Sequence, residues 1–438
     1  IYDVQGDGDF RWVSGAQGQF NNSGIFRKSG GGDVTSMTGG GSPIQFNNAA
    51  DGVIEAQSGT LLFDGNGISN GGSLVVAADA VIEFDGNQSL LGSYTGSGQG
   101  AVELSGSTVT VDETTVFDFP TGLFQWTGGT ISGGPFANNG FITLAGSANK
   151  SLGGTLNNAG TITHQDTGNL QFQVGVLNNQ SGATYDFAGD GDFRWVSGAQ
   201  GQFNNSGTIR KSAGSGSSDM TGGGSPIAFN NASEGVIEVD AGTLLLNGAG
   251  SSTGGTFNVS SGAVLSMTGS GNTFTGTYTG SGGGQISLDG TLNLDGEVTF
   301  NFPTGYFQWL DGGISGGTLN NIGNITLDGT DAKSLGTTLN NSGVINHLDT
   351  GTLLFANGVL NNLSGGVYDF GGDGDFRWTS GSRGQFNNSG TLRKSAGVVV
   401  SNMTGGGSAI AFNNAADGVI DAQSGTLLFN GVGTSEGG

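Results

Sequence analysis

Hydrophobic and polar residues alternate in short runs along the whole chain. Gly235-Val236-Ile237-Glu238-Val239, Thr243-Leu244-Leu245-Leu246 and Gly323-Asn324-Ile325-Thr326-Leu327 each have the period of two and the length of a strand. Gly, Asn, Ser and Asp bound these runs, as turn residues should. No window sustains a 3.6-residue period, and glycine recurs too often for a helix interior, where it is costly. The pattern predicts an all-β chain with essentially no helix.

The runs are punctuated by a phrase made of a large apolar residue, two asparagines and a glycine-containing turn. It occurs at Phe20-Asn21-Asn22, Phe46-Asn47-Asn48, Leu156-Asn157-Asn158, Leu177-Asn178-Asn179, Phe203-Asn204-Asn205 and Phe229-Asn230-Asn231. It returns at Leu319-Asn320-Asn321, Leu339-Asn340-Asn341, Leu360-Asn361-Asn362, Phe386-Asn387-Asn388 and Phe412-Asn413-Asn414. Counting Phe257 and Ile286 as variants, the spacings from 203 to 386 run 26, 28, 29, 33, 20, 21 and 26 residues and close on 183 in seven steps. Short strands at such spacing predict a parallel β-helix, in which each strand pairs with its equivalent one turn on. Stacked asparagines, each amide both donor and acceptor, then form a ladder at the corners. Asn21, Asn47, Asn157, Asn178, Asn204, Asn230, Asn320, Asn340, Asn361, Asn387 and Asn413 are the expected rungs.

A longer period overlies the short one. Gly6-Asp7-Gly8-Asp9-Phe10-Arg11-Trp12 returns as residues 189–195 and again as 372–378, each step being 183 residues. This divides the chain into units 1–183, 184–366 and a partial 367–438 within one continuous solenoid. Seven turns per unit at strand spacing predict an advance of roughly 34 Å. The incomplete third unit leads us to expect a piece of a longer chain or filament.

Phrases such as Leu339-Asn340-Asn341-Ser342-Gly343-Val344-Ile345 followed by Gly351-Thr352-Leu353-Leu354-Phe355 resemble the repeats of filamentous-haemagglutinin-type exoproteins and autotransporter passengers. The resemblance covers nearly the whole chain. It implies a right-handed coil, an extracellular or cell-surface location and an adhesive role.

Composition narrows the chemistry. Glycine supplies 91 of 438 residues and proline only 5, which excludes collagen and proline-rich linkers. With 35 acidic against 12 basic residues, the chain lacks the clustered cations of a nucleic-acid binder. It has no cysteine, hence no disulfide or thiolate metal site, and no run of 18 apolar residues to insert in a membrane. The glycine run Gly39-Gly40-Gly41 is not followed by the Lys-Ser/Thr of a phosphate loop.

The Gly-Asp-Gly-Asp motif is the sharpest local signal. Asp7 and Asp9, Asp190 and Asp192, and Asp373 and Asp375 are spaced so that alternate carboxylates of an extended segment can share a calcium ion, the one cofactor the sequence suggests. The plainer reading is a turn with a local Asp–Arg pair through Arg11 and its equivalents. All five tryptophans lie in Phe-Arg-Trp or Phe-Gln-Trp: Trp12, Trp195 and Trp378 in the first, Trp126 and Trp309 in the second. Facing inward they fill the core; facing outward they form a platform for glycans or another partner. Eleven of the twelve cations recur at equivalent positions, as do the only histidines, His164 and His347, each two residues before an aspartate. One histidine per unit does not make a zinc site. A catalytic cleft needs convergent, differing groups, whereas here the candidate pairs are copied three times. We therefore expect a rod acting by stiffness and multivalent contact, with copies of itself or surface glycans as partners, rather than an enzyme. The rival expectation is a carbohydrate-binding or polysaccharide-degrading β-helix.

Overall fold

Most strands of the computed structural model are three to five residues long with alternate side chains buried, and four of nine or eleven residues occur between Gly271 and Asn341. The structure describes residues 1–38, 43–221, 226–403 and 408–438, so Gly39-Gly40-Gly41 lies outside the described residues. No helix occurs among them. The strands pair in parallel and fall into two compact units, 1–228 and 229–438.

In residues 1–228 every third strand pairs, so three strands make one turn. The strand Thr155–Asn158 lies between Phe136–Asn138 and Val176–Asn179, and the strand Thr161–His164 lies between Phe141–Leu144 and Thr184–Phe187. Paired residues are separated by as few as 18 positions (Trp126 and Leu144) and as many as 28 (Arg27 and Glu55). Extra residues are absorbed in the bends, which leaves the register of the inward positions intact. Those positions stack like on like: Phe20 over Phe46 with ring centroids 5.6 Å apart, and Phe63 over Phe84 at 5.3 Å. Stacked rings and aliphatic chains fill the coil as a continuous core.

The number of turns differs from the expected seven. Gln19–Asn22 is the second strand and Gln202–Asn205 the twenty-seventh among the described residues, so one 183-residue step spans 25 strands, or eight and a third turns. Turns carrying Gly67–Ser69, Gln88–Leu90 and Thr108–Val111 have no Asn-Asn phrase to announce them. The third of a turn left over has a consequence. Phe20 and Phe203 are equivalent in sequence, yet the column that starts at Phe20 passes through Phe46 and on through Gln88, Val109, Ile131 and Leu152 to the strand Phe193–Ser197. Phe203 belongs to the neighbouring column, over Leu177, Leu156 and Phe136. Within residues 1–228 the first two copies of a feature thus sit on adjacent faces of the three-sided coil.

Residues 229–438 repeat this construction. Phe412 stacks over Phe386, Leu360, Leu339 and Leu319, on the face that carries the strand Val236–Val239 rather than the one that carries Ala228–Asn231. The ladders run unbroken through positions 183/184 and 366/367: Thr184–Phe187 and Val367–Phe370 each pair on both sides. The sequence repeat is a period of the solenoid and does not mark a structural boundary.

Candidate functional site

The asparagine pairs build two ladders. The expected rungs form the outer one, with Nδ2 of each amide donating to the Oδ1 of the preceding rung: Asn178 to Asn157 (2.8 Å), Asn204 to Asn178 (2.8 Å), Asn361 to Asn340 (2.8 Å) and Asn387 to Asn361 (2.8 Å). The second asparagine of each pair forms an inner ladder that is buried and points the other way. Asn158 donates to Asn179 (2.8 Å), Asn341 to Asn362 (2.8 Å) and Asn362 to Asn388 (2.8 Å). The other amide hydrogen explains the direction: Asn158 also donates to the carbonyl of Thr184, Asn341 to Val367 and Asn362 to Thr391. Satisfying these carbonyls of the neighbouring strand fixes each inner amide, as burial demands.

The Gly-Asp-Gly-Asp turn lies between two further polar clusters. On its C-terminal side sits a buried lysine. Lys28, Lys211 and Lys394 are each 0% exposed and meet the first aspartate of their motif: Asp7 at 2.8 Å, Asp190 at 2.9 Å and Asp373 at 2.9 Å. Lys394 Nζ also donates to the Gly372 carbonyl (2.8 Å) and Ser401 Oγ (3.0 Å), and Lys28 and Lys211 repeat this with Thr35 and Ser218. The same carboxylates accept backbone N–H groups of the next turn, those of Asp33, Gly216 and Val399. The second aspartates, Asp9, Asp192 and Asp375, accept the N–H groups of Ser36, Asp219 and Asn402, each at 2.9 Å.

The two carboxylates of one motif are pushed apart electrostatically. Burial raises the Asp373 carboxyl, but the Lys394 hydrogen bond and the Val399 amide outweigh it and hold it below its ordinary value. Burial pushes Asp375 up, and Asp192 likewise, the latter helped by nearby Asp219. The Lys28 hydrogen bond holds Asp7 down. At the pairs expected to share a calcium ion, an ammonium and an amide N–H, both donors, converge on Oδ1 of each first carboxylate. Among the described residues no group of three or more His, Asp or Glu converges as a metal site. The cation hydrogen-bonded to the first aspartate is a lysine 21 residues further along the chain, brought there by the coil.

On the N-terminal side lies a cluster that the sequence showed only as His-X-Asp. The His347 imidazole is wholly buried, with Nδ1 2.9 Å from the Tyr368 hydroxyl and Nε2 2.9 Å from Asp349 Oδ1. Burial raises the Tyr368 phenol well above its ordinary range, so it keeps its proton and can donate to Nδ1 when the imidazole carries its own proton on Nε2. That leaves Nε2–H to face Asp349 and the Gly351 carbonyl at 3.0 Å. Lys333, also 0% exposed, donates to the other oxygen of Asp349. Tyr185, His164, Asp166 and Lys150 repeat the cluster. Its histidine explains the second glycine of the motif: a Cβ on Gly191 would lie 2.3 Å from His164 Nε2, and one on Gly374 2.2 Å from His347 Nε2.

The tryptophans divide in two. Trp126 and Trp309 are buried, stacked between Leu104 and Leu144 and between Leu288 and Leu327, so the Phe-Gln-Trp pair fills the core and cannot serve as a partner contact. Trp12, Trp195 and Trp378 are half-buried. At the latter two a bulge after the tryptophan breaks the register, and the indole N–H donates to the carbonyl of Ser197 or Ser380 (3.1 Å each). Arg383 lies 5.8 Å over the Trp378 ring. Among the arginines, Arg27 pairs with Glu55 (2.7 Å) and Arg393 with Asp369 (2.6 Å) across neighbouring strands.

Searches against protein-family profiles, curated proteins and solved structures each return no match.

Proposed function

We propose that this chain is a segment of an extracellular structural or adhesive rod that acts by stiffness and multivalent contact. One observation carries the reading: the groups best suited to chemistry are spent on holding turns together. All five lysines, both histidines and the paired aspartates are bonded to neighbouring turns, and the same bonds recur at each copy. A catalyst needs such groups convergent and reachable by substrate. The resemblance to adhesin repeats agrees with this.

Eight and a third turns advance about 40 Å at strand spacing. Electron micrographs of the purified chain should show elongated particles, and fibres, where they form, should carry a modulation near that length. Compact particles, or polysaccharide cleavage abolished by Asp192→Asn, would overturn the proposal. A second reading, glycan binding, draws support from the half-buried Trp195 and Trp378, the latter beneath Arg383. Retardation of the native chain in polysaccharide gels, lost in Trp378→Ala, would favour it.

A further inference from the structure

One buried amide differs between the two units in a way that leaves space. Gln88 faces Gly67 across the ladder and Asn272 faces Gly250, and the two glycines are 183 residues apart, so Gln88 and Asn272 hold equivalent places. Both are buried, at 2% and 7% exposure. Gln88 Nε2 reaches back to the carbonyl of Gly65 and donates to it. Asn272 is one methylene shorter and follows an extra glycine, Gly271. Among the described residues its Oδ1 is buried and meets no hydrogen-bond donor. Beside it lies a cavity of ≈ 10 Å³, measured for the centre of a water-sized sphere, with Leu246, Phe257, Phe274 and Ser252 in its wall. A side chain at Gly250 cannot fill it, because a Cβ there would lie 2.2 Å from the Phe229 carbonyl oxygen.

We propose that this cavity is a binding site for a single water molecule, which donates one hydrogen to Asn272 Oδ1 and the other to Ser252 Oγ. An amide oxygen buried without a donor is unfavourable, and native structures supply the donor from protein or from ordered water. The size fits: one water needs about 10 to 15 Å³ on this measure. Water stays in such a space where it finds two to four polar partners, and an apolar cavity stays dry. Here the partners are the Asn272 oxygen and the Ser252 hydroxyl. Ser252 has a lone pair to offer, since its own proton goes to the Gly254 carbonyl over a long 3.4 Å. No charged side chain lines the cavity, so an ion would have nothing to pair with. Gln88 brings its own amide to the place that water takes in the second unit.

The inference concerns the core and stands apart from what the rod contacts. A crystal structure of the full chain tests it. Water density should lie within about 3 Å of both Asn272 Oδ1 and Ser252 Oγ, with none between Gln88 and Gly65. An empty cavity would overturn the proposal, as would an Asn272 amide turned to a donor of the protein. Two variants read the partners separately. Asn272→Gln, given the side chain that reaches Gly65 in the first unit, should expel the water, and a peak that persists would count against the site. Ser252→Ala adds no bulk and should also empty it. The stranded Asn272 oxygen should then speed native-state hydrogen exchange over the strand Gly271–Ser281 by about fivefold, the worth of one net hydrogen bond. Water at full occupancy in Ser252→Ala, or exchange there at the native rate, would overturn the bridge.

Discussion

The two asparagine ladders offer a comparison within a single dipeptide. Asn340 and Asn341 are the same residue type on the same strand, one rung outer and one inner. Asn341 is 0% exposed; it accepts from Asn321 (2.7 Å) and donates to Asn362 (2.8 Å) and to the Val367 carbonyl (3.1 Å). Asn341→Ala strands the Asn362 acceptor and the Val367 carbonyl without water and takes an acceptor from Asn321. At about 1 to 3 kcal/mol for each buried group left unsatisfied, the loss should be on the order of 3 kcal/mol. Asn340 also sits in a ladder, bonded to Asn320 (2.9 Å) and Asn361 (2.8 Å), but it is half-exposed and water can replace both partners. Asn340→Ala should cost less than about 1 kcal/mol. A long solenoid opens locally before it unfolds globally, so the suitable assay is native-state hydrogen exchange over the strand Lys333–Asn341 and its partner Val359–Asn362. Equal losses at the two positions, or a larger loss at Asn340, would refute the assignment of inner and outer ladders.

Three further outcomes follow from the site. Gly374→Ala places a methyl group 2.2 Å from His347 Nε2 and should destabilise the fold by on the order of 1 to 3 kcal/mol in urea melts, whereas Gly32→Ala, with nothing within 4 Å, should be close to neutral. Acid should act in two stages: Asp375 and Asp192, raised by burial, favour the fold as they protonate, while Asp373, held low by Lys394, contributes stability above the unfolded carboxyl value near about 4 that is lost as pH falls through its folded value. Thermal melts should therefore change little or improve slightly toward that pH and fall below it, and Asp375→Asn should reduce the improvement, leaving the part due to Asp192. Acrylamide should quench the tryptophan emission in two phases, because Trp126 and Trp309 are buried while Trp12, Trp195 and Trp378 are half-exposed.

The coil was legible because period-two alternation and like-on-like stacking are properties of the sequence itself. The inner ladder was not anticipated, although its signal is in the sequence: in Phe203-Asn204-Asn205 an inward Phe places the second Asn inward, two positions on. The turn number was not legible, because strands such as Gly67–Ser69 and Thr130–Gly133 carry no asparagine pair and pack through register alone. The lysine clamps and the His-Asp-Lys clusters join residues 16 to 22 positions apart, on bends whose lengths vary, so only the coil brings them together. The recurrence of Lys150 with Lys333 and of His164 with His347 was visible; that they share one carboxylate was not. The glycines of Gly-Asp-Gly-Asp read as turn residues, whereas Gly191 and Gly374 are needed for the close approach of a histidine from the turn before.

The central claim is that the charged side chains of this chain hold its turns together from within. Residue-resolved amine labelling of the native protein tests it most directly. With every lysine at 0% exposure, all five should remain unlabelled under native conditions, and Lys28, Lys211 and Lys394 should become reactive only on denaturation. Labelling of these three lysines in the native chain at the rate of a free amine would contradict the account.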